Sequence, residues 1–400
     1  ASAQQGGPLS IALRARSPED ESIAAELERP LYVVGAPGSI DPTFGEGGVA
    51  SLSIEPGADY VSVGSIALDG EGRLLVAGTI VDVEQSESEL ALVRLSGSGE
   101  ADPEFAGGEV IRTTVGGAQS NLWAMVSHDD GKVVLAALVP GTGMVLRRYT
   151  AAGQVDDSFG ASGDVTLDDP GRLAARGDEL VVAEEKSVIL LDAAGRIDTS
   201  FHATSPLEQF PDSIAIGPDG GILLGGGTDG FRLARLLPSG EPDREFGVLS
   251  VGAVDGSPDD AQLLAIAPSA AGGMAVGKVR YDDLFMDVGH VLKYTAAGDL
   301  DQGFGAGGVL ALGELTSAID VAIDAEGRGL VLVRGSGGWS LWRLLPGGEV
   351  DPAFGDGGAV SLGETADKVG VRMIHEPVAE RLVVCSGSHT GALTCSRLWL

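Results

Sequence analysis

Seven aspartates occupy one fixed place in a short cassette that reads Gly, two residues, Asp, two residues, Phe. The copies are Gly38-Asp41-Phe44, Gly99-Asp102-Phe105, Gly153-Asp156-Phe159, Gly195-Asp198-Phe201, Gly240-Asp243-Phe246, Gly298-Asp301-Phe304 and Gly348-Asp351-Phe354. An aspartate so placed can ligate a cation, pair with a basic side chain, or close a turn by accepting N–H bonds from residues two or three further on. Metal ligation asks for several oxygen ligands in one loop, as in Asp-x-Asp-x-Asp-Gly, and no copy has that spacing. Catalysis needs unlike groups in one place, whereas these are like groups in seven places. The cassette is therefore expected to be structural, with Phe buried between adjacent units and Gly supplying positive φ in the turn. Five copies carry a basic residue eight positions before the Asp, namely Arg94, Arg148, Arg235, Lys293 and Arg343, while Val33 and Leu190 depart from the pattern. That distance permits a charge-assisted hydrogen bond within each unit.

Other chemistry-bearing residues are scattered. The five histidines (His128, His202, His290, His375 and His389) show neither an HExxH motif nor paired-His spacing, so zinc is not expected. The string Gly335 to Trp339 has no following helix and is no nucleophile elbow, and Gly225-Gly226-Gly227 lacks the helix of a phosphate loop. Two variable loops are dense in acid. One holds Asp82, Glu84, Glu87 and Glu89, and the other Tyr281, Asp282, Asp283, Phe285 and Asp287. These are the candidate binding residues, suited to a basic protein partner anchored by aromatics or, in second place, to Ca²⁺. No catalytic residue, resident metal or other cofactor is expected.

The elements around the cassette set its position. An apolar residue seven places before each Asp ends a strand, and between cassettes an alternating apolar run, an Asp-Gly-type turn and a second run read as a β-hairpin. Examples are Ser65 to Gly78, Ser213 to Gly226 and Asp320 to Arg334. A short run such as Val49 to Ile54 follows most cassettes. The cassette Phe residues lie 61, 54, 42, 45, 58 and 50 positions apart, so the cassette is rigid and the loops vary. Four short antiparallel strands per unit, seven times over, predict an all-β, seven-bladed β-propeller. Unit boundaries are expected at Gly48, Gly108, Gly163, Thr204, Leu249, Gly308 and Gly358, and the terminal strands close the ring. Leu31 to Gly35 and Leu393 to Leu400 both resemble an outermost strand, and either can take that position. Residues 1–30 form an extension, with a strand at Leu9 to Leu13 and then an acidic helix or loop; residues 31–400 form the propeller.

The ArgLeu-x4-Gly-x2-Asp-x2-Phe-Gly-x2-Gly pattern, joined to an Asp-Gly-Arg hairpin, resembles the bacterial delta-60 repeat proteins. The resemblance spans residues 31–400 and departs at the fourth copy, which runs into His202, and at the fifth, where Val248-Leu249 replaces a Gly pair. It implies a propeller and export from the cell, and no reaction.

The chain has a net charge of −32, with 44% hydrophobic residues and 62 glycines. Nucleic acid and anionic membrane surfaces are thereby disfavoured as partners, since both are bound through Lys and Arg. No apolar run is long enough to span a bilayer. The opening Ala-Ser-Ala-Gln-Gln resembles the region after a signal cleavage site, and a trimmed chain would look the same. Cys385 and Cys395, on neighbouring predicted strands, form either a disulfide in an oxidising compartment or two buried thiols. The expected function is an exported or cell-surface, monomeric, non-catalytic module that binds protein, or in second place glycan, through the loops opposite the cassettes. The alternatives are a lyase or hydrolase at the mouth of the central channel and a purely structural ring. An enzyme would show unlike polar groups from three or more blades converging at the axis.

Overall fold

The computed structural model describes residues 9–16 and 24–31 at the level of the backbone, and residues 35–55, 58–83, 87–115, 120–201, 203–207, 209–252, 260–281, 286–314, 316–364 and 368–400. Seven four-stranded antiparallel sheets form the blades of a propeller. From axis to rim, blade 1 comprises Tyr60–Leu68, Leu74–Asp82, Glu87–Leu95 and Ile111–Thr113, and blade 2 comprises Asn121–Ser127, Val133–Val139, Gly143–Tyr149 and Asp164–Leu167. Blade 3 is Arg172–Arg176, Glu179–Ala183, Ser187–Leu191 and Ala203–Thr204; blade 4 is Ser213–Ile216, Ile222–Gly227, Gly230–Leu236 and Val248–Gly252. Blade 5 is Asp260–Ser269, Gly272–Tyr281, Met286–Thr295 and Val309–Glu314; blade 6 is Ser317–Ile323, Gly329–Gly335, Gly338–Leu344 and Ala359–Gly363. The first strands of successive blades are neighbours all the way round, which places them at the axis. Second strands such as Leu74–Asp82 are buried over continuous runs, because adjacent blades cover both faces of each sheet.

The unit boundaries differ from those expected. The strand after each cassette pairs back with the strand before it, as Ile111 does with Leu92, so the boundary falls after that strand. The reason lies in the cassette, a turn too tight to carry the chain to the next blade. Asp102 N–H donates to the Arg94 carbonyl and Phe105 N–H to the Asp102 carbonyl, which reverses the chain at once.

Blade 7 closes the ring from both termini. Its first three strands are Val369–Glu376, Arg381–Gly387 and Ala392–Trp399, and its rim strand is Val49–Ser53, with Val49 opposite Ser396. The C-terminal segment thus takes the third position, and the cassette it lacks in sequence is supplied by Asp41, whose N–H donates to the Arg397 carbonyl at 2.8 Å. Leu31 belongs to a separate two-stranded ribbon, Leu9–Arg16 with Ala24–Leu31. The acidic helix or loop expected after Leu13 is instead, over its described residues, the second strand of that ribbon, because an isolated helix of eight residues containing Pro30 would be marginal. Cys385 and Cys395 face each other in register within blade 7 and are joined as a disulfide, Cα to Cα 4.1 Å.

The cassette works as a clasp. In all seven copies Asp Oδ1 accepts the N–H two residues on, at 2.8 to 3.1 Å. In four copies Oδ2 accepts an arginine Nε at 2.8 or 2.9 Å, from Arg94, Arg148, Arg343 and, across the ring closure, Arg397. The same four guanidinium groups lie 4.4 to 4.8 Å from the ring centroids of Phe105, Phe159, Phe354 and Phe44. Arg94, Arg148 and Arg397 then reach the next blade, donating to the carbonyls of Ala151, Ala193 and Gly97. Gly99 shows why the first cassette residue is glycine: its φ is +82°, and a Cβ would lie 2.8 Å from the Gly45 nitrogen of the preceding cassette.

Where the fourth copy lacks its basic residue, Arg176 substitutes from the inner strand, stacking over Phe201 at 5.6 Å and donating to the Pro238 carbonyl. In the fifth, Arg235 turns to Asp219, and its Nε stands 3.6 Å from Asp243 Oδ2 with no hydrogen bond among the described residues. There Gly247 N–H bonds back to Asp243, and a cavity of about 280 Å³ opens against Phe246 and Tyr294.

Asp41 holds Arg397 and Arg381 together at the closure. Burial works to raise its pKa, but the hydroxyl and N–H of Thr43, the charge of Arg397 and a hydrogen bond from Arg381 outweigh burial and hold it below the ordinary 3.8. Asp102 and Asp156 are lowered against burial in the same manner. The stability these depressed carboxyls contribute is complete above about pH 4 and is lost as pH falls through their folded values. Urea melts of Asp41→Ala should show a loss of about 3–5 kcal/mol, because the buried Arg397 loses its ion-pair partner while Arg381 keeps only Glu376. Asp301→Ala, whose Lys293 partner is partly exposed, should lose about 1 kcal/mol or less. Equal losses would show that burial of the clasp is not what matters.

Candidate ligand site at the ring axis

Five inner strands carry a β-bulge, at Gly64, Trp123, Leu264, Ile319 and Gly370. A bulge re-aims the side chains around it, and here these positions ring the axis. Between the inner strands lies a cavity of about 710 Å³. Its polar wall is Ser65 from blade 1, Arg172 from blade 3, Asp212 at the entry to blade 4, Gln262 and Lys278 from blade 5, Asp320 and Arg334 from blade 6, and Arg372 from blade 7. Leu264, Ile319, Trp339 and Met373 form its apolar wall. Most of the charged groups sit near the start of first strands or the end of second strands, so the cavity lies towards the end of the disc opposite the cassettes.

The charge of this wall is opposite to that of the chain. Four cations meet two carboxylates here, in a protein of net charge −32. Arg172 is packed with its guanidinium carbon 4.5 Å from the Trp123 ring and 5.8 Å from that of Phe210, and its Nε donates to the Pro211 carbonyl at 3.3 Å. Burial lowers its pKa, with Asp212 opposing and the like charge of Arg372 adding to the effect. Arg372 donates to the Val371 carbonyl at 2.9 Å. Among the described residues, Arg172, Arg334 and Arg372 make no ion pair, whereas the clasp arginines Arg94, Arg343 and Arg397 all do.

Asp320 accepts N–H bonds from Val321 at 2.9 Å and from Met373 of the next blade at 3.3 Å. Burial pushes its pKa up to about 6, against the pull of the Arg372 charge and of the two N–H groups. Asp212 ties blade 4 to blade 5 in the same way, through the Leu263 N–H at 3.2 Å. The arrangement can hold an anion against unpaired guanidinium groups and can exchange a proton at Asp320 near neutral pH.

The residues expected to bind are only partly described, and those that are described belong to blades 1 and 5. Asp82 ends the second strand of blade 1, half-buried, and Glu89 accepts Arg112 Nε within that blade at 2.9 Å. Glu87 and Tyr281 are described only as strand residues, and Glu84, Asp282, Asp283 and Phe285 lie outside the described residues. Asp287 faces Lys278 Nζ and Ser317 Oγ, each at 3.4 Å. The described histidines are apart: His128 and His290 bond backbone carbonyls, His375 faces Glu380, and His389 packs on Tyr60. Among the described residues no three His, Cys, Asp or Glu side chains cluster as a metal site.

Arg172, Asp212, Asp320 and Arg372 were not picked out by sequence, because each belongs to a different blade. A signal was present: charged residues at or beside the first strand of a hairpin, in blades 3, 4, 6 and 7, where the blade 1 and blade 2 runs Ser62 to Ile66 and Asn121 to Met125 carry none.

Residues 72–105 and 217–246, each running from a hairpin turn through a cassette, match the family model described as Domain of unknown function (DUF5122) beta-propeller. Those two stretches are similar to that family's repeat, in agreement with the expected resemblance to a propeller family without an assigned reaction. No curated protein sequence matches the chain. Among solved structures it is similar to a catalytically inactive virginiamycin B lyase from Staphylococcus aureus with quinupristin, at 10% identity and TM-score 0.54, covering 88% of this chain and 99% of that one. It is also similar to the Pan2 WD40 domain of Neurospora crassa (11% identity, TM-score 0.50, 86% and 93% covered). A third is YCF48 bound to D1 peptide (9% identity, TM-score 0.50, 90% and 97% covered). At such identities the likeness is one of fold alone.

Carboxyl-detected NMR of ¹³C-labelled aspartate should show one resonance titrating near pH 6, absent in Asp320→Asn. In Arg372→Ala that midpoint should rise, because the cation that favours the carboxylate is gone. Titration of Asp320 near 3.8 would mean that solvent, not protein, surrounds it.

Proposed function

We propose that this propeller is a non-catalytic binding module that engages a protein partner at the end of the disc opposite the cassettes, with the axial cavity as the centre of recognition. The observation that carries this reading is the convergence of unpaired arginines, a glutamine and two carboxylates from several blades on one cavity of about 710 Å³. Arginines that line a cavity without an ion-pair partner among the described residues are the usual signature of a site whose anionic partner comes from outside. The acidic loops would surround the partner as a second zone of contact. Export to the periplasm, the cell surface or the medium completes the proposal, supported by the Cys385–Cys395 disulfide, since such bonds persist in oxidising compartments.

A second reading, a lyase or hydrolase at the same place, is favoured by Asp320, whose raised pKa suits a general base. The two readings separate on turnover, since only the enzyme would release a changed ligand.

The test is capture from envelope and secreted fractions by the parent, by Leu264→Trp, which fills the cavity, and by Asp282→Ala/Asp283→Ala/Phe285→Ala. A partner held by the parent and lost with Leu264→Trp is the expected outcome. Retention by Leu264→Trp with loss in the loop variant would move recognition to the loops. Retention by both would reject this end of the disc as the binding face.

A further inference from the structure

The proposal deepens the axial reading and rests on it. We propose that the axial cavity recognises a carboxylate, held between Arg172 and Arg372, whose carbon skeleton lies against Leu264, Ile319 and Met373. The charge state of the wall carries the inference. Arg172 and Arg372 line the same cavity, the charge of Arg372 disfavours that of Arg172, and neither arginine makes an ion pair among the described residues, Asp212 and Asp320 acting on them only at longer range. An anion between them relieves that repulsion and fills N–H groups that the Pro211 and Val371 carbonyls leave idle. Trp339, on the same wall, is 7% exposed and its indole N–H meets no acceptor among the described residues.

The two aspartates narrow the class of anion. A phosphate dianion would face Asp212 and Asp320 as well as the arginines, and like charges at short range cost more than a singly charged carboxylate incurs. The apolar wall likewise favours an organic acid over an inorganic ion. Asp320 adds a pH dependence. The groups facing the bound carboxylate are Arg172, Lys278, Arg334 and Arg372, with Asp212 and Asp320 opposed, and of these Asp320 alone has its pKa placed near 6. Protonation of Asp320 removes a repulsion and supplies a donor, so affinity should rise as pH falls through about 6. The rest of the surface repels anions over a range that salt screens, whereas contacts inside the cavity are screened less. Moderate salt should therefore leave affinity unchanged or raise it, the reverse of an exposed basic patch.

Calorimetry on the full chain at pH 5.5 and 7.5 tests this with 4-methylpentanoate, inorganic phosphate, spermidine, and a Leu-Ser-rich hexapeptide with a free or an amidated C-terminus. The expected result is binding of 4-methylpentanoate or of the free-ended peptide, tighter at pH 5.5, and weakened tenfold or more in Arg372→Gln. Arg372→Lys, which keeps the charge without the fork, should bind at an intermediate level and guards against a folding defect. 4-Methylpentanoate alone would mark a small organic acid as the source of the carboxylate, and the free-ended peptide alone a chain terminus of the partner. Equal affinity for phosphate, or binding untouched by Arg372→Gln, would overturn the inference. Binding of spermidine or of the amidated peptide, lost in Leu264→Trp, would overturn it while leaving the cavity as the site. No binding of any probe, together with partner capture that survives Leu264→Trp, would overturn both readings.

Discussion

The fold depends on one repeated interaction, an aspartate that uses its two oxygens for two different bonds. Oδ1 closes a turn and Oδ2 takes a guanidinium, as at Asp102 and Arg94. The first bond reverses the chain from third strand to rim strand. The second holds the arginine over the neighbouring Phe and aims it at the next blade, so local turn chemistry becomes contact between blades. Because the pair is buried, neither half tolerates loss of the other, and buried pairs of this kind are more costly to break than they are profitable to form. The clasp is thus a specifier of register more than a reservoir of stability, and the fifth copy illustrates it. With Arg235 drawn to Asp219, the interface remains but a cavity appears beside Phe246.

The division of labour among cations follows from this. In an acidic chain each arginine has carboxylates available, and most of those at the clasps and hairpin turns take one: Arg73 pairs with Asp69, and Arg328 with Asp324. The axial arginines are different because they line the cavity between the inner strands, away from the acid of the surface. Their stacking partners are aromatic, Trp123 and Phe210 for Arg172 and Trp339 for Arg334, which fix position without neutralising charge. Position fixed and charge unspent is what a recognition site needs.

The fold was legible because its determinants are local. Gly, Asp and Phe at a fixed spacing specify a turn, and seven turns with hairpins between them leave few architectures. The order of strands within a unit was less legible, since whether Ile111–Thr113 pairs backwards or forwards is decided by how tightly the cassette bends. The axial site was not legible at all. Asp320 reads as the first residue of an ordinary hairpin, and its neighbour Arg372 lies 52 positions away in sequence. The loop acids stood out in sequence for their density, yet Glu89 and Asp287 are engaged by Arg112 and Lys278. Acid in a loop is conspicuous in sequence, whereas convergence at an axis exists only once the ring is closed.

The closure of blade 7 ties the chain's earliest propeller residues to its last. Asp41 and Arg397 are separated by 356 positions, and bringing such ends together costs about 5 kcal/mol of chain entropy before any contact rewards it. During synthesis the rim strand Val49–Ser53 emerges first among the blade strands and its partner Ala392–Trp399 last. For most of that time it is an unpaired edge, the kind of segment that pairs with the wrong chain. Sequential docking of blades shortens the effective loop, since each clasp carries the growing arc around towards its own beginning. The ring is therefore expected to mature in chain order, with closure as the slow and final step.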